Sequence, residues 1–230
     1  MQTITKQRVT SPATALETTY QSIRRNIITG VHPQGTKLPI RDLTKRYNVS
    51  AGTVRESLSR LVSESLVDAY DQKGFRVSPM SLQSLREITE LRLLLEKEAL
   101  RQSIQMGDER WESELVSALY LLRRIEGESD TWLQEHIVEW EERNGAFHAA
   151  LIAACPSSWL KLMIGMLYRQ WARYCYCAIT SSKTPSQLND EHVAIYEAAL
   201  ARDPGAAEHL LEAHIRDTAD QLLSTGLLPE

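Results

Sequence analysis

The 230-residue sequence predicts a mainly α protein: three helices plus a β-hairpin at the N-terminal end, followed by an all-helical bundle. Three observations predict it. Apolar residues recur at helical spacing along almost the whole chain, period-two alternation is confined to one short pair of segments near residue 70, and charge is divided unevenly. Residues 1 to 80 hold 12 basic and 6 acidic side chains, which leaves 14 basic and 24 acidic for residues 81 to 230. A basic third joined to an acidic remainder suits two separate tasks, the first toward a polyanion. With 43% hydrophobic residues, ten Gly and eight Pro, the chain is neither disordered nor fibrous.

The first helix is expected over residues 13 to 30, where Leu16, Tyr20, Ile23, Ile27 and Ile28 form one stripe and Gly30 with Pro33 ends it. Two shorter helices follow, Ile40 to Tyr47 and Ala51 to Glu64, separated by Asn48-Val49-Ser50 alone. Ser50 is placed to cap the second of them. Segments 66–70 and 75–78 then alternate as strands do, with Asp71-Gln72-Lys73-Gly74 as the turn. Pro79 marks the boundary, giving expected domains at 10–79 and 80–228. Beyond it six or seven amphipathic helices are separated by breaks near Gly107-Asp108, Gly127 to Thr131, Pro156-Ser157, Ser181 to Pro185 and Asp203-Pro204-Gly205.

The opening residues lack the apolar core of a secretory signal and no stretch is long enough to span a bilayer, so a cytoplasmic protein without a membrane partner is expected. Three cysteines, at 155, 175 and 177, are too few for a disulfide framework and read as packing residues.

Two helices with a tight turn and a following hairpin are the parts of a winged helix-turn-helix, which sets the N-terminal residues of its second helix against base edges in double-stranded DNA. Ser50, Gly52 and Thr53 are small enough for close approach and Arg55 follows them. Arg41, Lys45 and Arg46 lie on the preceding helix, and Lys73 and Arg76 flank Gly74 in the wing. Leu38-Pro39-Ile40-Arg41-Asp42-Leu43, Asn48-Val49-Ser50, Thr53-Val54-Arg55-Glu56-Ser57-Leu58 and Gly74-Phe75-Arg76-Val77 together resemble the winged helix-turn-helix of GntR-type bacterial repressors. The resemblance implies a homodimer on a palindromic operator, with Arg41, Thr53 and Arg55 on DNA and Gly74 admitting the wing to the minor groove. Ala51 stands where many relatives carry Arg, so the usual operator bases do not carry over.

In the second half three histidines, His148, His192 and His214, each lie on an apolar helical face. His192 and His214 are 22 residues apart with the Asp203-Pro204 break midway, so an antiparallel fold-back sets them level. Asn144 precedes His148 by one turn. Neutral imidazoles converging in this way suit Zn or Ni; core histidines, each hydrogen-bonded, are the alternative. His32, His136 and His209 fit no such arrangement.

Phe147-His148-x-x-Leu151, Glu191-His192-x-x-Ile195, Arg202-Asp203 and His214 resemble the all-helical FCD ligand domain found in the FadR branch of these regulators. In that family an Asp and three His bind a divalent metal to which a small carboxylate effector attaches. Asn144 takes the Asp position; its amide oxygen can still coordinate but brings no negative charge, so either metal affinity should fall or no metal should be bound. Arg92, which matches an arginine at the opening of the family's domain, and Arg173 are the cations expected to grip the carboxylate; an ion pair of Arg92 with Glu96 is the competing reading. A narrower resemblance, around residues 67–77 and 139–148, to carbon-starvation-type repressors of glutarate and γ-aminobutyrate catabolism implies an effector of the glutarate or 2-hydroxyglutarate type, released operator being the response. The rival class is a metal-dependent hydrolase using His148, His192 and His214, for which Glu191, turned about 100° from His192 on its helix, is poorly placed as a base.

Overall fold

A computed structural model describes residues 14–71, 73–127, 136–179, 185–224 and 226. Its contacts divide the chain between Ser78 and Pro79, with the short segment Ile28–Val31 grouped with the second unit. The expected breaks at 127–131 and 181–185 fall largely outside the described residues, as do the side chains of Cys175 and Cys177.

The first unit contains helices α1 (Ala15–Ile28), α2 (Ile40–Tyr47) and α3 (Ala51–Ser63) and strands β1 (Val67–Tyr70) and β2 (Gly74–Val77). Its core is made by Ile23 and Ile27 of α1, Leu43 of α2, Val54, Leu58 and Leu61 of α3, and Leu66, Val67 and Val77 around the hairpin. The α2–α3 turn is tight because Asn48 adopts the left-handed conformation at φ 52° and Ser50, extended, accepts from the Thr53 amide at 3.1 Å. The strands pair antiparallel with Val67 opposite Val77 and Tyr70 opposite Gly74. β1 begins one residue later than the alternation suggested, and β2 begins and ends one residue earlier. The Leu66 amide instead closes the end of α3 on the Leu61 carbonyl. Gly74 takes φ 81°, a conformation that disfavours a Cβ, which is why the turn ends on this residue.

The second unit is all helical among the described residues: α4 (Leu82–Met106), α5 (Glu109–Glu126), α6 (Ile137–Leu151), α7 (Ser158–Ile179), α8 (Pro185–Leu200) and α9 (Pro204–Ser224). The long α4 packs on α7 and α9, α5 packs on α6 and α8, and α8 packs on α9. Trp111, Leu115, Leu122, Phe147, Leu151, Trp171, Ile195, Leu211 and Ile215 lie in one continuous core. The α8–α9 reversal is built as expected: Arg202 turns left-handed at φ 58°, and Asp203 accepts from the Ala206 amide at 3.0 Å to cap α9, with Pro204 first in the helix. No helix among the described residues is long and apolar enough to cross a membrane. Cys155 is buried and donates to Gln102 Oε1 at 3.3 Å, a packing role.

Candidate functional site

The N-terminal unit presents one candidate surface. Arg41 on α2, Ser50, Gly52 and Arg55 at the start of α3, and Lys73 and Gly74 in the wing turn are exposed, while Thr53 and Arg76 are half-buried. Among the described residues Arg41, Arg55 and Lys73 form no ion pair, so their charges face solvent. Two residues are partly engaged within the fold. Thr53 Oγ1 meets Ser50 Oγ at 2.9 Å, and Arg76 donates to the Gly35 carbonyl at 3.0 Å, tying β2 to the loop before α2.

The C-terminal unit brings together His148 from α6, His192 from α8 and His214 from α9, each offering one ligand atom within 4.8 Å of the others. The level pairing across the Asp203 turn holds: the rings of His192 and His214 are 4.7 Å apart, and His148 lies 5.8 and 5.3 Å from them. All three are buried, His192 completely. Zinc–nitrogen bonds of about 2.0–2.1 Å set tetrahedral ligands about 3.4 Å apart, so the three ligand atoms would draw closer together around a metal.

Two carboxylates outside the sequence expectation hold this geometry. Glu126, at the end of α5, lies 3.0 Å from His192 Nδ1 and also accepts from Trp140 Nε1 at 2.9 Å. Glu191 lies 2.7 Å from His214 Nδ1. With Nδ1–H donated to a carboxylate, the Nε2 lone pair is the one left to ligate. The 100° offset that turns Glu191 off the ligand face of α8 thus turns it onto α9. It supports a ligand. Burial, and then the neighbouring His214, Arg92 and His192, push the His148 imidazole well below its ordinary value, so it is neutral.

The cluster fits a divalent metal better than a set of satisfied core histidines. Asn144 Oδ1, His148 Nδ1 and His192 Nε2 are buried without a hydrogen-bond partner, an arrangement a close-packed interior avoids unless something binds there. Asn144, one turn before His148 on α6, donates its Nδ2 to the Tyr168 hydroxyl at 2.8 Å.

Arg92 is 1% exposed and forms the anticipated pair with Glu96, at 2.6 and 3.2 Å. Its guanidinium also lies 4.6 Å from the Trp171 ring and 5.5 Å from that of Tyr168, whose ring is 5.9 Å from His148. The cation is therefore next to the histidines. Arg173 is buried on the same helix as Tyr168, five residues further on. His209 is exposed, and His32 and His136 are half-buried.

Comparison with known proteins bears on both units. Residues 15–77 match the family described as bacterial regulatory proteins, gntR family, and residues 87–217 match the FCD domain. The HTH-type transcriptional regulator BphR of Paraburkholderia xenovorans is 39% identical over 93% of this chain and 87% of its own length. The HTH-type transcriptional repressor GlaR of Escherichia coli is 33% identical over 85% of this chain and 90% of its own. Escherichia coli McbR/YncC superposes with a TM-score of 0.73 at 20% identity, covering 93% of this chain and 99% of that one, which speaks for the fold.

Proposed function

Because the chain belongs to the GntR family of bacterial regulatory proteins, with an FCD domain as its C-terminal half, we propose that it is a repressor whose homodimer holds a palindromic operator and releases it on binding a small dicarboxylate. Membership makes the chain a transcriptional regulator rather than an enzyme, and the hydrolase alternative loses its support. The similarity to a relative named as a repressor supports the sign of control.

In this reading Arg41, Ser50, Gly52, Thr53 and Arg55 meet the major groove and adjoining phosphates, and Lys73, Gly74 and Arg76 form the wing contact. A two-fold dimer pairs two such heads with the two half-sites of a palindrome. The observation that carries the sensor part is the set of buried ligand atoms of His148, His192 and His214 within 4.8 Å of one another, beside the buried Arg92. These histidines with Asn144 would hold zinc or nickel, which when bound supplies a cationic centre for one carboxylate. Arg92 and Arg173 serve the second carboxylate, Arg92 sharing its guanidinium with Glu96. Glutarate or 2-hydroxyglutarate has the length and charge for two such anchors. If the liganded sensor favours a spacing of the reading heads that misses the half-sites, operator occupancy falls by population shift.

The test mixes the purified protein with fragmented genomic DNA of its source at physiological salt and sequences the bound pieces, with and without glutarate or 2-hydroxyglutarate. A few enriched sites sharing a short palindrome, lost with the acid, are expected. No enrichment in any condition overturns the operator reading, and enrichment indifferent to both acids overturns the effector.

A further inference from the structure

Asn144 differs from a carboxylate in one respect that matters to a metal: its two ends are chemically unlike. Oδ1 has lone pairs to donate, whereas Nδ2 carries two hydrogens and has none available. Rotated by half a turn, the side chain would present N–H groups to a cation and lose its place as a ligand. A carboxylate has two equivalent oxygens and needs no such control.

The fold supplies the control from the next helix. Tyr168 of α7 accepts from Asn144 Nδ2 at 2.8 Å, and Oδ1 is left buried and without a hydrogen-bond partner. Asn144 and His148 are one turn apart, so they share a face of α6. The tyrosine reaches Asn144 because residue 145 is glycine: a Cβ there would lie 2.9 Å from Tyr168 Cε1 and 3.4 Å from Cζ, with the hydroxyl at 3.5 Å. The ring is rigid and lies 5.9 Å from that of His148 and 5.5 Å from the Arg92 guanidinium.

We infer that Tyr168 is a positioning residue that makes Asn144 a metal ligand, fixing the amide so that Oδ1 is the end turned to the histidines, with Gly145 as the clearance it requires. The inference rests on the metal reading of the histidine cluster. It adds that the neutral amide depends on a second residue where a carboxylate would not.

Zinc affinity of the full chain, read by competition with a chromophoric chelator at fixed pH and salt, tests it in a double-mutant cycle. Tyr168→Phe keeps the ring and removes the acceptor, and should weaken zinc by about tenfold or more, the size typical of lost support to a metal ligand. In the Asn144→Asp background the same change should cost less than about twofold, because either oxygen can ligate; the two effects are then coupled rather than additive. Gly145→Ala, which pushes the ring away, should follow the same pattern. Equal losses in both backgrounds would overturn the inference, since Tyr168 would then act through packing alone. No loss on Tyr168→Phe, with zinc bound by the parent chain, would overturn it while leaving the metal reading intact. If neither the parent nor Asn144→Asp binds zinc, the metal reading fails first and the inference with it.

Discussion

Arg55 projects from α3 with no ion pair among the described residues, whereas Arg60, further along the same helix, is held by Glu17 at 3.1 Å. A cation with no partner in the fold is available to a base edge or a phosphate. Arg55→Ala should therefore lose about 1–3 kcal/mol of operator binding, measured by fluorescence anisotropy on a recovered operator, with zinc content unchanged. Loss of both properties would contradict the division of labour. His148 carries a prediction about pH. Its imidazole is pushed well below 6.5 by burial and then by His214, Arg92 and His192 around it, while in the unfolded chain it titrates near 6.5. As pH falls the unfolded state takes up this proton first, so metal-free protein should lose stability below about pH 6.5 and be insensitive to this residue above it. Thermal melts of chelator-treated protein between pH 8 and 5.5 check this, with His148→Gln flattening the slope; a profile already flat in the parent protein contradicts it. Identity and burial of the histidines could be read from the apolar residues around them. Glu126 could not, because it reaches His192 from 66 residues away and only the packing of α5 on α8 brings them together.

At the scale of elements, α7 shows what periodicity can and cannot say. Ile164 and Trp171 enter the core, yet Trp159, Leu162, Met163 and Met166, spaced i, i+3, i+4 and i+7, are exposed, Trp159 by 74%. The adjoining α4 adds Leu91 and Leu94, and Leu94 lines one groove with Leu160 of α7. Exposed apolar side chains of this kind are the material of a stable interface, which removes roughly 800 Å² per partner. The homodimer proposed above would find its contact here if this face is the one it uses. Met163→Glu places a charge in the middle of it and should convert dimer to monomer by analytical ultracentrifugation at micromolar concentration, with helix content retained. A dimer that survives unchanged places the interface elsewhere. From sequence both faces of α7 read as apolar, so core and interface could not be divided. The α8–α9 reversal was readable because Asp203 and Pro204 act locally, as cap and first residue of a helix.

At the scale of the whole molecule, the two units have separate cores, and the candidate metal ligands all belong to the second. Zinc at 100 times its dissociation constant should stabilise that unit by about 2.7 kcal/mol while leaving the N-terminal unit unchanged. Calorimetry with and without zinc reads this as a rise in one transition; equal rises in two separate transitions would contradict it. The sequence by itself determined the winged helix-turn-helix, the helical character of the remainder, the Ser50 and Asp203 caps and the level pairing of His192 with His214. All of these depend on neighbours a few residues away or on counting from a turn. The tertiary structure alone decided that Glu126 and Glu191 back the histidines, that Tyr168 meets the Asn144 amide, and which side chains of α7 stay exposed. Those outcomes depend on the rotation and register of one helix against another, which a one-dimensional pattern of 3.6 residues per turn does not encode.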